Sequence, residues 1–165
     1  MNHDTDSNFR TVRGYQRISQ EEGQLTPALE DYLEMAYRLC MQNDYARVGQ
    51  LSDALHVKAS SASKMISKLA GLGYLKYDRY EIIQLTADGR KHGEYLLKRH
   101  ETVEAFLNLV GSLNPLEETE LIEHTLSPST VSAIDILNAF FADTELRQKF
   151  ICFKEQAAYW YTEAL

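Results

Sequence analysis

Cysteine, proline and tryptophan are scarce here: two, three and one among 165 residues. Cys40 and Cys152 are too few and too far apart for a disulfide framework, so reduced thiols in a cytoplasmic protein are expected. The first 24 residues hold no apolar run, so no secretory leader is expected. No stretch approaches the roughly 20 apolar residues of a membrane span, and no membrane partner is expected. A Gly-rich phosphate loop and a Ser/His/Asp arrangement are both missing. The chain is therefore not expected to be an enzyme or to have a small-molecule substrate, and no catalytic residue is assigned. The few prolines are informative. Each follows a capping-type residue, in Thr26-Pro27, Asn114-Pro115 and Ser127-Pro128, an order that marks helix starts.

Charge is present in quantity but unevenly spread. The net charge is −7. Residues 1–44 carry 4 basic and 8 acidic side chains, residues 45–99 carry 10 and 5, and residues 100–165 carry 3 and 11. A basic middle between acidic flanks suits a protein that meets phosphate with one part and cations or a partner with another. Ordinary surface variation gives the same pattern, so charge alone does not choose.

Apolar periodicity supplies the architecture. Leu29, Tyr32, Leu33, Ala36, Tyr37 and Leu39 recur at three- and four-residue steps, predicting an amphipathic helix from Pro27 to about Gln42. A short second helix is expected in VGQLSDALHV, with Val48, Leu51, Ala54 and Leu55 inward. A third follows in ASSASKMISKLAGLG, with Ala62, Met65, Ile66, Leu69 and Leu72 inward. YLKYD and EIIQLT read as a small hairpin. Three helices followed by a two-stranded wing is the winged helix-turn-helix order. A long helix from Ala87 to Gly111 comes next, then helices opening near Pro115, at Pro128 and near Asp143. The expected fold is mainly α, with a winged helix-turn-helix domain joined by a long helix to an all-helical dimerisation domain. Its divisions are a polar arm (1–24), a DNA-binding domain (25–86), a linker helix (87–111) and a helical metal-binding and dimerisation domain (112–165).

The third helix presents Ser60, Ser61, Ser63, Lys64, Ser67 and Lys68 outward. Small hydroxyl side chains permit close approach to base edges, and lysines anchor phosphates. Arg79, between the wing strands, could reach the neighbouring backbone. A solvated face is the competing explanation. No strong bidentate base reader is present, so modest base readout with shape readout is expected on a double-stranded DNA operator. Palindromic reading calls for a homodimer. Leu121, Ile122, Leu126, Ile134, Leu137, Phe140 and Phe141 offer more apolar surface than three short helices need alone.

A second set of residues is rich in oxygen and nitrogen donors. Glu120, Glu123 and His124 fall within one helical turn in ETELIEHTLS, while Leu121, Ile122 and Leu126 beside them look like core. Asp31 and Glu34 share a face of the first helix, and His100 lies on the long one. Four carboxylates and two imidazoles, without thiolates, suit Mn²⁺ or Fe²⁺. Four clustered carboxylates also repel unless cations join them. Singly, each of these residues is most often a solvated surface charge.

With LEDYLEMAY, ALHVKASSASKMISKL, RHETVEAFL and ELIEHTLS in order, the sequence resembles the diphtheria-toxin-repressor family of metal-dependent bacterial repressors, closest to its manganese-responsive branch, from Thr26 to about Tyr161. The resemblance implies metal ligation by Asp31, Glu34, His100, Glu120, Glu123 and His124. The iron-responsive branch has Met where Asp31 stands and Cys where Glu120 stands, so the implied cofactor is Mn²⁺, two ions per protomer, with Fe²⁺ the alternative ion. That branch also carries an SH3-like domain, for which no room is expected before Leu165. The implied function is a Mn²⁺-activated repressor of manganese uptake genes. The alternative is a winged-helix regulator sensing another metal, such as Fe²⁺, or a small organic ligand. A di-iron type metalloenzyme is disfavoured, because such sites use Glu-x-x-His on two helices and this chain has no such pair.

Overall fold

Thr26 opens the first helix as its order with Pro27 predicts: its hydroxyl accepts from the Leu29 amide at 3.4 Å, and helix α1 runs Pro27–Asn43. The computed structural model describes residues 25–78 and 82–162, with side chains as far as residue 157. The N-terminal arm (1–24) and Arg79 lie outside the described residues. After α1 come β1 (Ala46–Arg47), α2 (Val48–Ala54), α3 (Ala59–Gly71), β2 (Leu75–Tyr77) and β3 (Ile82–Leu85). Helix α4 follows (Ala87–Val110), then α5 (Pro115–Ile122), a single 3₁₀ turn (Glu123–Thr125), α6 (Pro128–Phe140) and α7 (Thr144–Thr162). The chain divides into two compact units, one ending at Leu96 and the other beginning at Leu97, with the division inside α4.

In the first unit, α1, α2 and α3 enclose Leu33, Ala36, Leu51, Ala62, Ile66 and Leu69, all fully buried. Complete burial of such side chains stabilises by about 1.5–3 kcal/mol each for the larger ones. Helix α4 joins this core through Leu96. Gly93 allows the close approach, since a Cβ there would lie 2.6 Å from Cβ of Tyr37. The inward stripes hold with two exceptions. Leu72 is exposed because it caps α3 rather than continuing it. Ala54 is exposed at the end of α2, and Ser52 turns inward instead, its hydroxyl donating to the Gly49 carbonyl at 2.9 Å. His56, at φ 52°, turns the chain from α2 into α3.

The wing has a third strand that periodicity did not reveal. Strand β1 pairs antiparallel with β3, Ala46 opposite Ile83 and Arg47 opposite Ile82. Strand β2 covers the other side of β3, Leu75 opposite Leu85. The sheet order is therefore β1-β3-β2. Two residues are too few to show an alternation, so β1 is silent in the sequence.

In the second unit, α4 ends at Gly111, whose φ of 82° suits a residue without Cβ. Ser127 caps α6, accepting from the Thr130 amide at 3.2 Å. Asp143 does the same for α7, accepting from the Leu146 amide at 3.0 Å. Helices α4 and α6 are tied by polar bonds: Asn138 donates to the Thr102 carbonyl at 2.9 Å, and Lys98 reaches Asp135 at 3.0 Å.

Candidate metal centre and DNA-reading face

The second unit gathers four of the six expected ligands around one buried carboxylate. Glu123 is 1% exposed and His100 6%. Its Oε1 lies 3.4 Å from His100 Nδ1 and 3.8 Å from His124 Nε2. The exposed Glu120 stands 3.9 Å from His100 Nδ1. Glu104, one turn beyond His100 on α4, is 3.9 Å from its Nε2. The motif is not one continuous helix, as its spacing suggested. Helix α5 closes at Ile122, and Glu123, His124 and Thr125 wind more tightly as the 3₁₀ turn.

Of the two readings open for Leu121 and Ile122, closing the core or surplus apolar surface, the structure shows the second. Glu123 and Thr119 are buried, whereas Leu121 is 71% exposed and Ile122 39%. A carboxylate tolerates burial only beside charge or hydrogen-bond partners, and α4 supplies them. One partner is a residue that sequence reasoning passed over. Arg99, 3% exposed, donates from a terminal nitrogen to His124 Nδ1 at 3.1 Å and lies 3.7 Å from Glu123 Oε2. The signal was available: Leu96, Val103 and Leu107 form a buried stripe, and Arg99 and His100 fall on it at helical spacing. Glu123 Oε2 makes no hydrogen bond, although it is buried. A buried carboxylate that turns one oxygen toward two imidazoles and leaves the other, beside Arg99, without a hydrogen bond fits a hard divalent cation.

Asp31 and Glu34 belong to the first unit. They lie one turn apart on α1, Glu34 buried and Asp31 half-buried. Arg38 grips Glu34 from the next turn, with two guanidinium nitrogens at 2.9 and 2.6 Å from its Oε1. Burial, helped by the neighbouring Asp31 charge, raises the Tyr32 phenol above its ordinary range. Of the other cysteine and histidine side chains, Cys40 is a small core residue and Cys152 is exposed. His92 packs between the rings of Tyr74 and Tyr95.

On α3, Ser60, Ser61, Lys64, Ser67 and Lys68 are exposed and Ser63 is half-buried. Ser67 spends its proton on the Ser63 carbonyl, at 2.8 Å, leaving its oxygen as an acceptor. In the second unit Leu121, Ile136, Leu137, Phe140 and Phe153 form exposed apolar surface. Leu126, Ile134 and Phe141 are half-buried. No helix among the described residues is long and apolar enough to cross a membrane.

Comparison with known proteins gives these features a context. Residues 24–82 match the N-terminal DNA-binding domain of the iron-dependent repressors, and residues 86–148 match their metal-binding and dimerisation domain. The HTH-type transcriptional regulator MntR of Oceanobacillus iheyensis is 41% identical over 126 residues, covering 75% of this chain and 86% of that protein. The chain belongs to the diphtheria-toxin-repressor family of metal-dependent repressors. Within the family it is similar to the MntR regulators, that of Bacillus subtilis being 39% identical over 126 residues. Among solved members of the family, the metal-dependent transcriptional regulator MtsR is 28% identical with a TM-score of 0.62, over 70% of this chain and 55% of that one. The manganese regulator SloR is 30% identical with a TM-score of 0.58, over 68% and 54%. The chain thus spans about half the length of these two structures. In family terms, α1–α3 with the wing are the DNA-binding domain, and the exposed apolar surface of α5 and α6 belongs to the domain through which such repressors dimerise.

Proposed function

We propose that this repressor is activated by Mn²⁺, binds a double-stranded operator as a homodimer and represses manganese uptake genes. The observation that carries the reading is the Glu123 carboxylate, buried between His100 and His124 with an oxygen that makes no hydrogen bond. With Glu120, Asp31 and Glu34, which the family resemblance adds, the ligand set is all oxygen and nitrogen, of the kind that Mn²⁺ takes. Four carboxylates balance two divalent ions, so two per protomer is the expected load. Two ions add four positive charges and bring the formal protomer charge from −7 to −3, which eases approach to phosphates.

The division of labour follows the chain: residues 25–86 read DNA, 87–111 link, and 112–165 bind metal and dimerise. Ser60, Ser61 and Ser63 approach base edges, Ser67 offers an acceptor, and Lys64, Lys68 and Arg79 neutralise phosphates. The protein works in the cytoplasm and catalyses nothing. Bound metal supplies positive charge and fixed coordination. The chain's own part is to hold His100, Glu123 and His124 within a few ångströms of one another before an ion arrives.

Fluorescence anisotropy tests this, using a labelled duplex from upstream of a manganese uptake gene of the source genome. Mn²⁺ should tighten binding by roughly 5–150-fold over chelator, the usual span of such coupling. Equal affinity in both solutions removes metal activation. An anaerobic Fe²⁺ arm that tightens binding where Mn²⁺ does not transfers the role to iron.

A further inference from the structure

We propose that Arg99 is a built-in counter-cation of the metal site: it holds Glu123 and His124 in place while the site is empty and competes with the incoming ion. The inference rests on the metal-binding reading above and goes beyond it by giving a task to a residue outside the ligand set. Three observations carry it. Arg99 is buried, so its charge must be balanced from within the protein. A carboxylate beside it is that of Glu123, whose Oε2 is 3.7 Å from the guanidinium Nε and makes no hydrogen bond. Its terminal nitrogen meets His124 Nδ1 at 3.1 Å. A guanidinium only donates, so this contact fills the Nδ1 lone pair, and one of the two His124 nitrogens is engaged by the protein itself.

Two consequences follow from one charge. A buried carboxylate with no cation beside it is strongly destabilising; Arg99 removes that penalty in the empty protein. The same positive charge repels a divalent ion seated on Glu123. Affinity is thereby held below what the donor set alone would give, as suits a sensor that must release its ion when supply falls. Arg38 has a related place in the first unit, where it grips Glu34, but its side chain is 36% exposed and can swing into water. Arg99, at 4%, has no such escape and stays beside the site.

The test uses the full chain, with Mn²⁺ alone as the probe. Wild type, Arg99→Gln, Arg99→Lys and the double variant Arg99→Gln with Glu123→Gln are melted in chelator and then titrated with Mn²⁺ by calorimetry. In chelator, Arg99→Gln should melt below wild type, Arg99→Lys should recover part of the loss, and the double variant should recover most of it, because the two charges vanish together. With metal, Arg99→Gln should show a larger rise in melting temperature than wild type and bind its tightest Mn²⁺ about tenfold more strongly. Unchanged or weaker Mn²⁺ binding by Arg99→Gln overturns the proposal, since a purely structural arginine gives that result. Should Arg99→Gln fail to fold in chelator, adding Glu123→Gln must restore folding; failure to do so also overturns it. If wild type itself shows no response to Mn²⁺, the metal reading falls, while the chelator melts still judge the Arg99–Glu123 pair.

Discussion

Lys64 and Lys68 stand one helical turn apart on the exposed side of α3. If they neutralise phosphates, replacing both with Ala should change how DNA binding responds to salt. Each neutralised phosphate contributes about 0.9 to the slope of log K against log salt. A dimer carries each lysine twice, so the double variant removes four contacts and lowers the slope by roughly 3.6. Over a fourfold rise in salt, the variant should lose about 150-fold less affinity than wild type. The loss should be similar on operator and on unrelated duplex, because phosphates carry no sequence information. Anisotropy titrations in Mn²⁺ at several salt concentrations measure both quantities. The Mn²⁺-induced rise in melting temperature serves as a control and should not move. An unchanged slope would return α3's lysines to the status of solvated charges. A loss confined to one sequence would make them base readers instead.

Other parts of the structure make their own predictions. Leu121→Asp places a charge on a 71% exposed apolar residue, so sedimentation should shift from dimer to monomer while the far-ultraviolet spectrum keeps its helix signal; an unshifted dimer would exclude Leu121 from the interface. Thr26→Ala removes the cap of α1, whose 3.4 Å bond is long, and should cost about 0.5–1 kcal/mol in a denaturant melt. Cys152 should react at once with a thiol reagent and Cys40 only on unfolding, since burial raises the Cys40 thiol above its ordinary range. By the same shift, stability should fall as pH rises past the unfolded thiol's pKa of about 8.5, where the unfolded chain loses a proton that the folded one keeps. Cys40→Ala should flatten that part of the pH profile.

Local signals in the sequence were legible because local chemistry decides them. Thr26 and Ser127 announced their helices as hydroxyl caps before proline, and Gly111 announced the end of α4. The core of the first unit was legible from period alone, since Leu33, Ile66 and Leu69 repeat at helical steps and are buried. What stayed hidden depends on partners distant in sequence. Strand β1 exists because β3 offers it an edge. Leu121 and Ile122 look like core by residue type yet also belong to an apolar surplus, and type alone does not choose; they are exposed, while the neighbouring carboxylate is turned inward toward Arg99 and His100. The ligand candidates were visible as residue types in order, but not the guanidinium among them, because nothing in a lone Arg-His pair states which charge it will balance.

The ladder between β1 and β3 ties the entrance of α2 to the inner strand of the wing. A hairpin on its own is marginal in water, and this one is braced along its otherwise open side. Length can therefore change in the connection between β2 and β3 without disturbing the pairs that hold the fold. Evolution thus has latitude to lengthen or shorten the wing's reach along a groove while the helix that enters it keeps its footing.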